Sequence, residues 1–271
     1  MAARSIAVLL PYLTGETREA FDRWLAATLA RHMPPLNFTE IRKGVQALST
    51  LYVHDRQAGR IGARSVDGMG KRAALATYYA ALHFITLHHA LEMIGPETFG
   101  PVRRILDLGC GTGASGAALA LGLGLPQRPS ILGIDRSGWA LEEARDTWAA
   151  FDLDGRGVRG ELPLAAPRAG TGDLMLFGWS LGELPGNERG ANFRSIAAAL
   201  RRGAGLFVLE PLSGRISPWW NEWAELLAEE GVRAELVRVV IQRPLFVADM
   251  DKASGLDHQI VGARVLAGRR A

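Results

Sequence analysis

Cysteine is almost missing from this sequence: Cys110 is the only one in 271 residues. An internal disulfide is excluded, as is a metal or cluster held by cysteines of this chain alone. A reducing compartment fits, and a cytoplasmic location is expected. Lysine is nearly as scarce. Only Lys43, Lys71 and Lys252 occur, so arginine carries almost all the positive charge, and the formal net charge is +3. Long apolar runs are absent too. Nothing approaches the about 18 residues of a membrane span, and Ile6–Leu10 is too short for a signal-peptide core. No membrane partner is expected. The six histidines show no metal-ligand spacing, so no metal is expected.

What is present is a chain 48% hydrophobic and 22% charged, enough for one large or two modest domains. Gly95, Pro96, Gly100 and Pro101 interrupt it. They suggest a helical cap over residues 1–97 and an α/β domain over 98–271. Before the break, residues 15–33 carry Phe21, Trp24, Leu25 and Leu29 on one helical stripe. Residues 39–54 carry Ile41, Val45, Leu48 and Leu51, with Thr39 placed to cap the helix. Residues 70–94 are apolar almost all round, which predicts a helix sandwiched between the two parts.

After the break, strands and helices alternate. Strands are expected at 105–108, 130–135, 157–161, 173–177 and 206–210. Ser137 is placed to cap the helix after the second strand, and Ser217-Pro218 to open the helix after the fifth. Two final strands, at 234–242 and 258–266, have no evident helix between them and predict a hairpin. The order implies a Rossmann-like sheet, mostly parallel with an antiparallel last strand.

The densest signal is Ile105-Leu106-Asp107-Leu108-Gly109-Cys110-Gly111-Thr112-Gly113. It reads as a strand with an acid near its end, then alternating glycines opening into an Ala-rich helix. Glycines permit the sharp turn and the close approach of a ligand, and the helix start offers N–H groups. Gly111 to Gly116 also satisfy the G-x-G-x-x-G pattern of dinucleotide sites. Asp107 argues against a dinucleotide, because a carboxylate beside a pyrophosphate repels it. The same carboxylate suits S-adenosylmethionine, which has an ammonium and a sulfonium and no phosphate.

Ligands of open α/β sheets bind outside the carboxyl ends of the strands. Asp135, ending the second strand, is placed to accept hydrogen bonds from both ribose hydroxyls. Glu161, after the third, is placed for the adenine amino group. Arg136, Ser180, Cys110 and Thr112 complete the expected cofactor contacts. The segment Phe177-Gly178-Trp179-Ser180-Leu181-Gly182-Glu183-Leu184-Pro185 should line the space between cofactor and acceptor. Trp179 there covers the adenine, shapes the acceptor site, or packs beneath the next helix. Glu183 is a candidate base or orienting group, or simply an acid at a helix start. Tyr78 and Tyr79 are candidates for an acceptor pocket, with Trp219 or Trp220 beside them. Cys110 lies inside the loop, which argues against its being a nucleophile. His89 falls on an apolar helical stripe and reads as a core residue. Residues 55–72 combine Arg56, Arg60, Arg64, Lys71 and Arg72 with interleaved glycines, a basic loop suited to phosphates or to solvent.

The glycine stretch resembles motif I of the class I S-adenosylmethionine-dependent methyltransferases. A narrower resemblance rests on four pieces in order. They are Ala76-Thr77-Tyr78, the motif I loop, Ser180-Leu181-Gly182-Glu183-Leu184-Pro185, and Val208-Leu209-Glu210-Pro211. Together they are similar to the methyltransferase-like family of the mitochondrial small ribosomal subunit and its bacterial relatives. That resemblance implies a methyltransferase acting on ribosomal RNA or on the assembling small subunit. The family commonly carries a cysteine cluster in its C-terminal half, and this chain has none. Two alternatives stand beside it: a small-molecule methyltransferase with an enclosed pocket, and a cofactor-binding assembly factor that transfers no methyl group.

Overall fold

The computed structural model describes residues 9–54, 65–163, 168–213 and 217–270. Its centre is a seven-stranded sheet of order β3-β2-β1-β4-β5-β7-β6. The strands are β1 (Arg104–Leu108), β2 (Ser130–Asp135), β3 (Gly155–Arg159), β4 (Asp173–Gly178), β5 (Gly205–Glu210), β6 (Val232–Val240) and β7 (Ile260–Arg269). β1 to β5 run parallel, and β7 lies antiparallel between β5 and β6. This is the Rossmann-like sheet, mostly parallel with an antiparallel last strand, that the sequence predicts. The chain leaves β1 in one direction through β2 and β3 and returns on its other side at β4. Such a reversal opens a crevice at the carboxyl ends of β1 and β4.

Helices pack around this sheet. Before it come α1 (Gly15–His32), α2 (Phe38–His54) and α3 (Met69–Ala74). α3 runs through one wide π turn, Leu75–Tyr79, into α4 (Ala80–Ile94). The others are α5 (Ala114–Gly122), α6 (Gly138–Ala150), α7 (Gly186–Arg201) and α8 (Trp220–Ala228), with α9 (Leu245–Ser254) last. α4 buries residues all round its circumference, as its composition predicts. It lies against α5, whose small residues let it approach: a Cβ on Gly122 would stand 2.7 Å from Leu91 Cδ2.

One apolar cluster joins the first helices to the sheet. Phe84 stacks on Phe151 at 5.1 Å and meets Phe21 at 5.2 Å. Each such buried ring contributes about 1.5–3 kcal/mol. Polar links reinforce the seam. Trp24 Nε1 donates to Thr147 Oγ1 at 3.2 Å, and Glu143 accepts from Arg31 at 2.8 Å and lies 3.0 Å from His32 Nε2. A continuous core therefore crosses the break near residue 97.

Four local expectations are corrected. The connection between β6 and β7 is not a plain hairpin, because α9 folds within it and buries Val247 and Met250. α2 is capped by Asn37 instead of Thr39: Asn37 Oδ1 accepts the Glu40 N–H at 3.0 Å, and Glu40 Oε2 accepts the Asn37 N–H at 2.8 Å. This reciprocal box satisfies two otherwise unpaired donors. β3 begins two residues early, at Gly155 against Ile131, which leaves Glu161 beyond the strand. Ser217-Pro218 forms a turn, closed by Trp220 N–H to Ser217 O at 3.1 Å, and the helix starts after it.

Candidate active site

The glycines predicted to form a loop at the end of β1 turn the backbone there through positive angles. Gly109, Gly111 and Gly113 have φ of 79°, 51° and 76°, a region closed to most side chains. At Gly109 and Gly113 space forbids a side chain as well, whereas at Gly111 nothing lies within 4 Å. A Cβ on Gly109 would lie 2.5 Å from Ser180 Cβ, and one on Gly113 would lie 2.9 Å from Ala144 Cα. Trp148 Nε1 donates to Gly113 O at 3.1 Å and so fixes the start of α5. The N–H groups of Gly109 and Cys110 both reach Ile134 O, at 2.9 and 3.1 Å.

Asp135 ends β2 and organises the next turn of the loop. Its Oδ2 accepts the Gly111 N–H at 3.0 Å, and its Oδ1 accepts the Ser137 N–H at 2.8 Å. Each carboxylate oxygen accepts more than one bond, so both keep capacity for a ligand hydroxyl. Burial pushes this carboxyl above its ordinary range, against the pull of those two N–H groups. Ser137 caps α6 as predicted, its Oγ accepting from Ala140 N–H at 3.2 Å.

Asp107 lies beneath the loop and not on its open surface. It is 1% exposed. Its Oδ2 accepts the Gly116 N–H at 3.1 Å, while its buried Oδ1 has no partner. Burial raises the carboxyl to about 7, with the Asp135 charge adding to the shift. Cys110 is also buried, and burial pushes its thiol well up, which removes the thiolate a nucleophile needs.

The loop opens into a cleft of about 870 Å³. Cys110, Thr112, Asp135, Arg136, Glu161, Trp179, Ser180 and Glu183 all line it together with Gly109 and Gly111. Trp179 is held at φ 60°, an uncommon conformation for a bulky residue and one that clusters at functional sites. Its N–H donates to Leu209 O at 2.8 Å. Ser180 Oγ donates to Leu108 O at 2.7 Å, and Gly182 N–H donates to the buried Glu210 at 2.8 Å. The segment after β4 is thereby tied to β1 and β5.

Tyr78 and Tyr79 do not line this cleft. Tyr78 is fully buried, with its hydroxyl bonded to Asp251 and lying 2.9 Å from His258 Nδ1. Tyr79 donates to Val45 O at 3.3 Å. Burial pushes both phenols up. Trp219 and Trp220 belong to the apolar cluster on the other face of the sheet. His89 is a core residue, its Nε2 3.0 Å from Tyr12 O. Among the described residues no group of histidines, cysteines and acids is arranged to hold a metal, and no helix is long and apolar enough to cross a membrane. Arg56, Arg60 and Arg64 lie outside the described residues, whereas Lys71 pairs with Asp67.

The cleft wall also includes Arg72 of the predicted basic segment, and residues the sequence did not single out: Tyr52, Leu75 and His83 from the first helices, and Trp139 from α6. His83 stacks on Trp179 with ring centroids 4.2 Å apart and planes 13° apart. The Arg72 guanidinium lies 5.6 Å above Trp139. For Trp139 a signal existed, since it follows the capping serine by two residues. A separate hollow of about 270 Å³, lined by Met175, Phe177 and Ile196, opens under α7 and holds none of these groups.

No protein-family profile and no curated protein matches the chain. Solved structures do share its fold. The O-methyltransferase TomG from Streptomyces achromogenes, solved with S-adenosylmethionine, is 16% identical over 68% of this chain and 79% of its own, with a TM-score of 0.42. The plantazolicin methyltransferase BpumL, solved with S-adenosylhomocysteine, is 14% identical over 82% and 98%, at 0.43. The cyclase SpnF is 18% identical over 68% and 82%, at 0.45.

Proposed function

We propose that this chain is an S-adenosylmethionine-dependent methyltransferase. The observation that carries the reading is the joint between Asp135 and the glycine loop. The Asp135 oxygens face the cleft with acceptor capacity for ribose hydroxyls. Gly109 and Gly111 leave the backbone bare on the cleft wall for close approach, while Gly113, predicted as a contact, packs against Trp148 and Ala144 and sets the turn. Arg136, Ser180, Cys110 and Thr112 would complete the contacts, with Glu161 at the adenine end. A pyrophosphate would meet the Asp135 carboxylate here, which disfavours a dinucleotide.

The bound cofactor would supply a methyl group on a sulfonium, an already activated leaving group. The protein's own task is alignment and exclusion of water, and these provide much of the acceleration in such transfers. Trp179 and Glu183 stand on the wall where an acceptor would lie, and Glu183 would orient it. Among the described residues of that wall the carboxylates Asp67, Asp135, Glu161, Glu183 and Glu188 outnumber the arginines Arg72, Arg136 and Arg159. Such a surface repels a polyanion. It favours a small neutral or cationic acceptor over ribosomal RNA, whose phosphates need a basic track.

Incubation with methyl-labelled S-adenosylmethionine, small ribosomal subunits in one arm and a metabolite extract in the other, tests the acceptor. Label in the small-molecule fraction is expected. Label confined to RNA would instead support the ribosomal reading.

A further inference from the structure

We propose that His83 is the catalytic base that takes the proton released by the methyl acceptor. The inference rests on the cofactor reading above and goes beyond it by naming the residue and the acceptor's chemistry. His83 is the only histidine on the cleft wall among the described residues. It lies on α4, one turn beyond the π turn Leu75–Tyr79. Single wide turns of this kind recur at functional sites, where an extra residue re-aims the side chains that follow.

Its imidazole is locked in place from two sides. The Trp179 indole covers one face at 4.2 Å, and the Tyr79 ring lies 6.4 Å away at 47°. Trp179 itself is held by its bond to Leu209 O at a backbone angle that only a fixed surrounding tolerates. An indole face favours a cation beside it, and the excess of carboxylates on the same wall adds to that preference. The stacked indole therefore gives the imidazole a surrounding that accommodates its protonated form.

The acceptor atom that bears a removable proton forms a bond to the methyl carbon. The methyl–sulfur bond breaks, and its electron pair stays on sulfur as a neutral thioether. The acceptor's proton moves to His83, which becomes positively charged and later returns the proton to solvent. The acceptor class is an O–H or N–H nucleophile, because a tertiary amine or a thioether has no proton to give. A base of this kind contributes about 10²–10⁴-fold.

The test uses the full chain labelled with [¹³C]histidine, the His83 signal being assigned by its loss in His83→Gln. The expected result is a signal that titrates between about pH 5 and 9 and shifts when S-adenosylhomocysteine is added. A His83 signal that neither titrates nor responds to bound S-adenosylhomocysteine would overturn the proposal. With catechol and N-methylaniline as probe acceptors, His83→Gln should lose at least about 100-fold in kcat, keep its affinity for S-adenosylhomocysteine, and recover partly with added imidazole. Equal turnover by the wild type and His83→Gln would also overturn it. Failure of the wild type to bind S-adenosylhomocysteine would instead defeat the cofactor reading.

Discussion

Asp135 Oδ2 accepts the Gly111 N–H at 3.0 Å, so the end of β2 holds the glycine loop that ends β1 in its turned conformation. The two features most diagnostic of a nucleoside site are thus one mechanical unit. An acid that shapes the loop and also faces the ligand should matter twice. Asp135→Ala is expected to weaken S-adenosylhomocysteine binding by at least about tenfold, since bonds to a charged acceptor are worth about 1.5–3 kcal/mol each. Titration calorimetry measures it directly. Unchanged affinity would remove Asp135 from the ribose role.

Asp107 predicts an unusual dependence of stability on pH. Its folded pKa, about 7, lies above the ordinary aspartate value. Between those two values the unfolded chain has released this proton while the folded chain keeps it, so stability falls as pH rises. Asp107→Asn removes that cost and can still accept the Gly116 N–H. The variant should be more stable than the wild type at pH 8, by on the order of 4 kcal/mol, and about equal at pH 4. Urea melts at the two pH values check this. A less stable variant at pH 8 would show that the ionised acid is satisfied in the fold.

Gly113 offers a test of the loop's steric demand. Gly113→Ala combines a positive φ with a contact 2.9 Å from Ala144 Cα. Gly124, at φ 60°, has nothing within 4 Å of the point where a Cβ would stand, so Gly124→Ala bears backbone strain alone, about 1–2 kcal/mol. The Gly113 variant should lose clearly more stability than the Gly124 variant in thermal or urea melts. Equal losses would mean that α6 yields easily around the loop.

How far the sequence reaches is visible in these same residues. Gly109, Gly111, Gly113 and Asp135 were legible because special backbone angles and strand-end acids leave a local signature. The Trp179–Glu183 segment was legible by its position after β4. His83 was not. It sits on a helix apolar almost all round, where periodicity marks no face, and the π turn before it shifts which residues point at the cleft. The same shift explains Tyr78 and Tyr79. Adjacent residues of a helix point roughly 100° apart, and these two turn to Asp251 and to Val45 O instead of to the cleft. α9 was hidden because only Val247 and Met250 anchor it among its apolar residues, too few for a period to emerge.

The seam between the first helices and the sheet is predicted to be acid-sensitive. Burial works against the Glu143 charge, yet His32 and Arg31 hold its carboxyl below the usual range. A depressed folded pKa contributes stability above the unfolded value and loses it as pH falls through the folded one. Glu143→Gln should therefore cost about 1–3 kcal/mol at neutral pH, and the gap to the wild type should close as pH falls through the acidic range. A pH-independent gap in chemical denaturation would assign the loss to packing instead of charge.

The central claim is the identity of the ligand at the glycine loop. The most direct measurement is calorimetric titration of the full chain with S-adenosylhomocysteine and, separately, with NAD. The account predicts saturable one-to-one binding of S-adenosylhomocysteine and no measurable heat with NAD. Binding of NAD without binding of S-adenosylhomocysteine would contradict it.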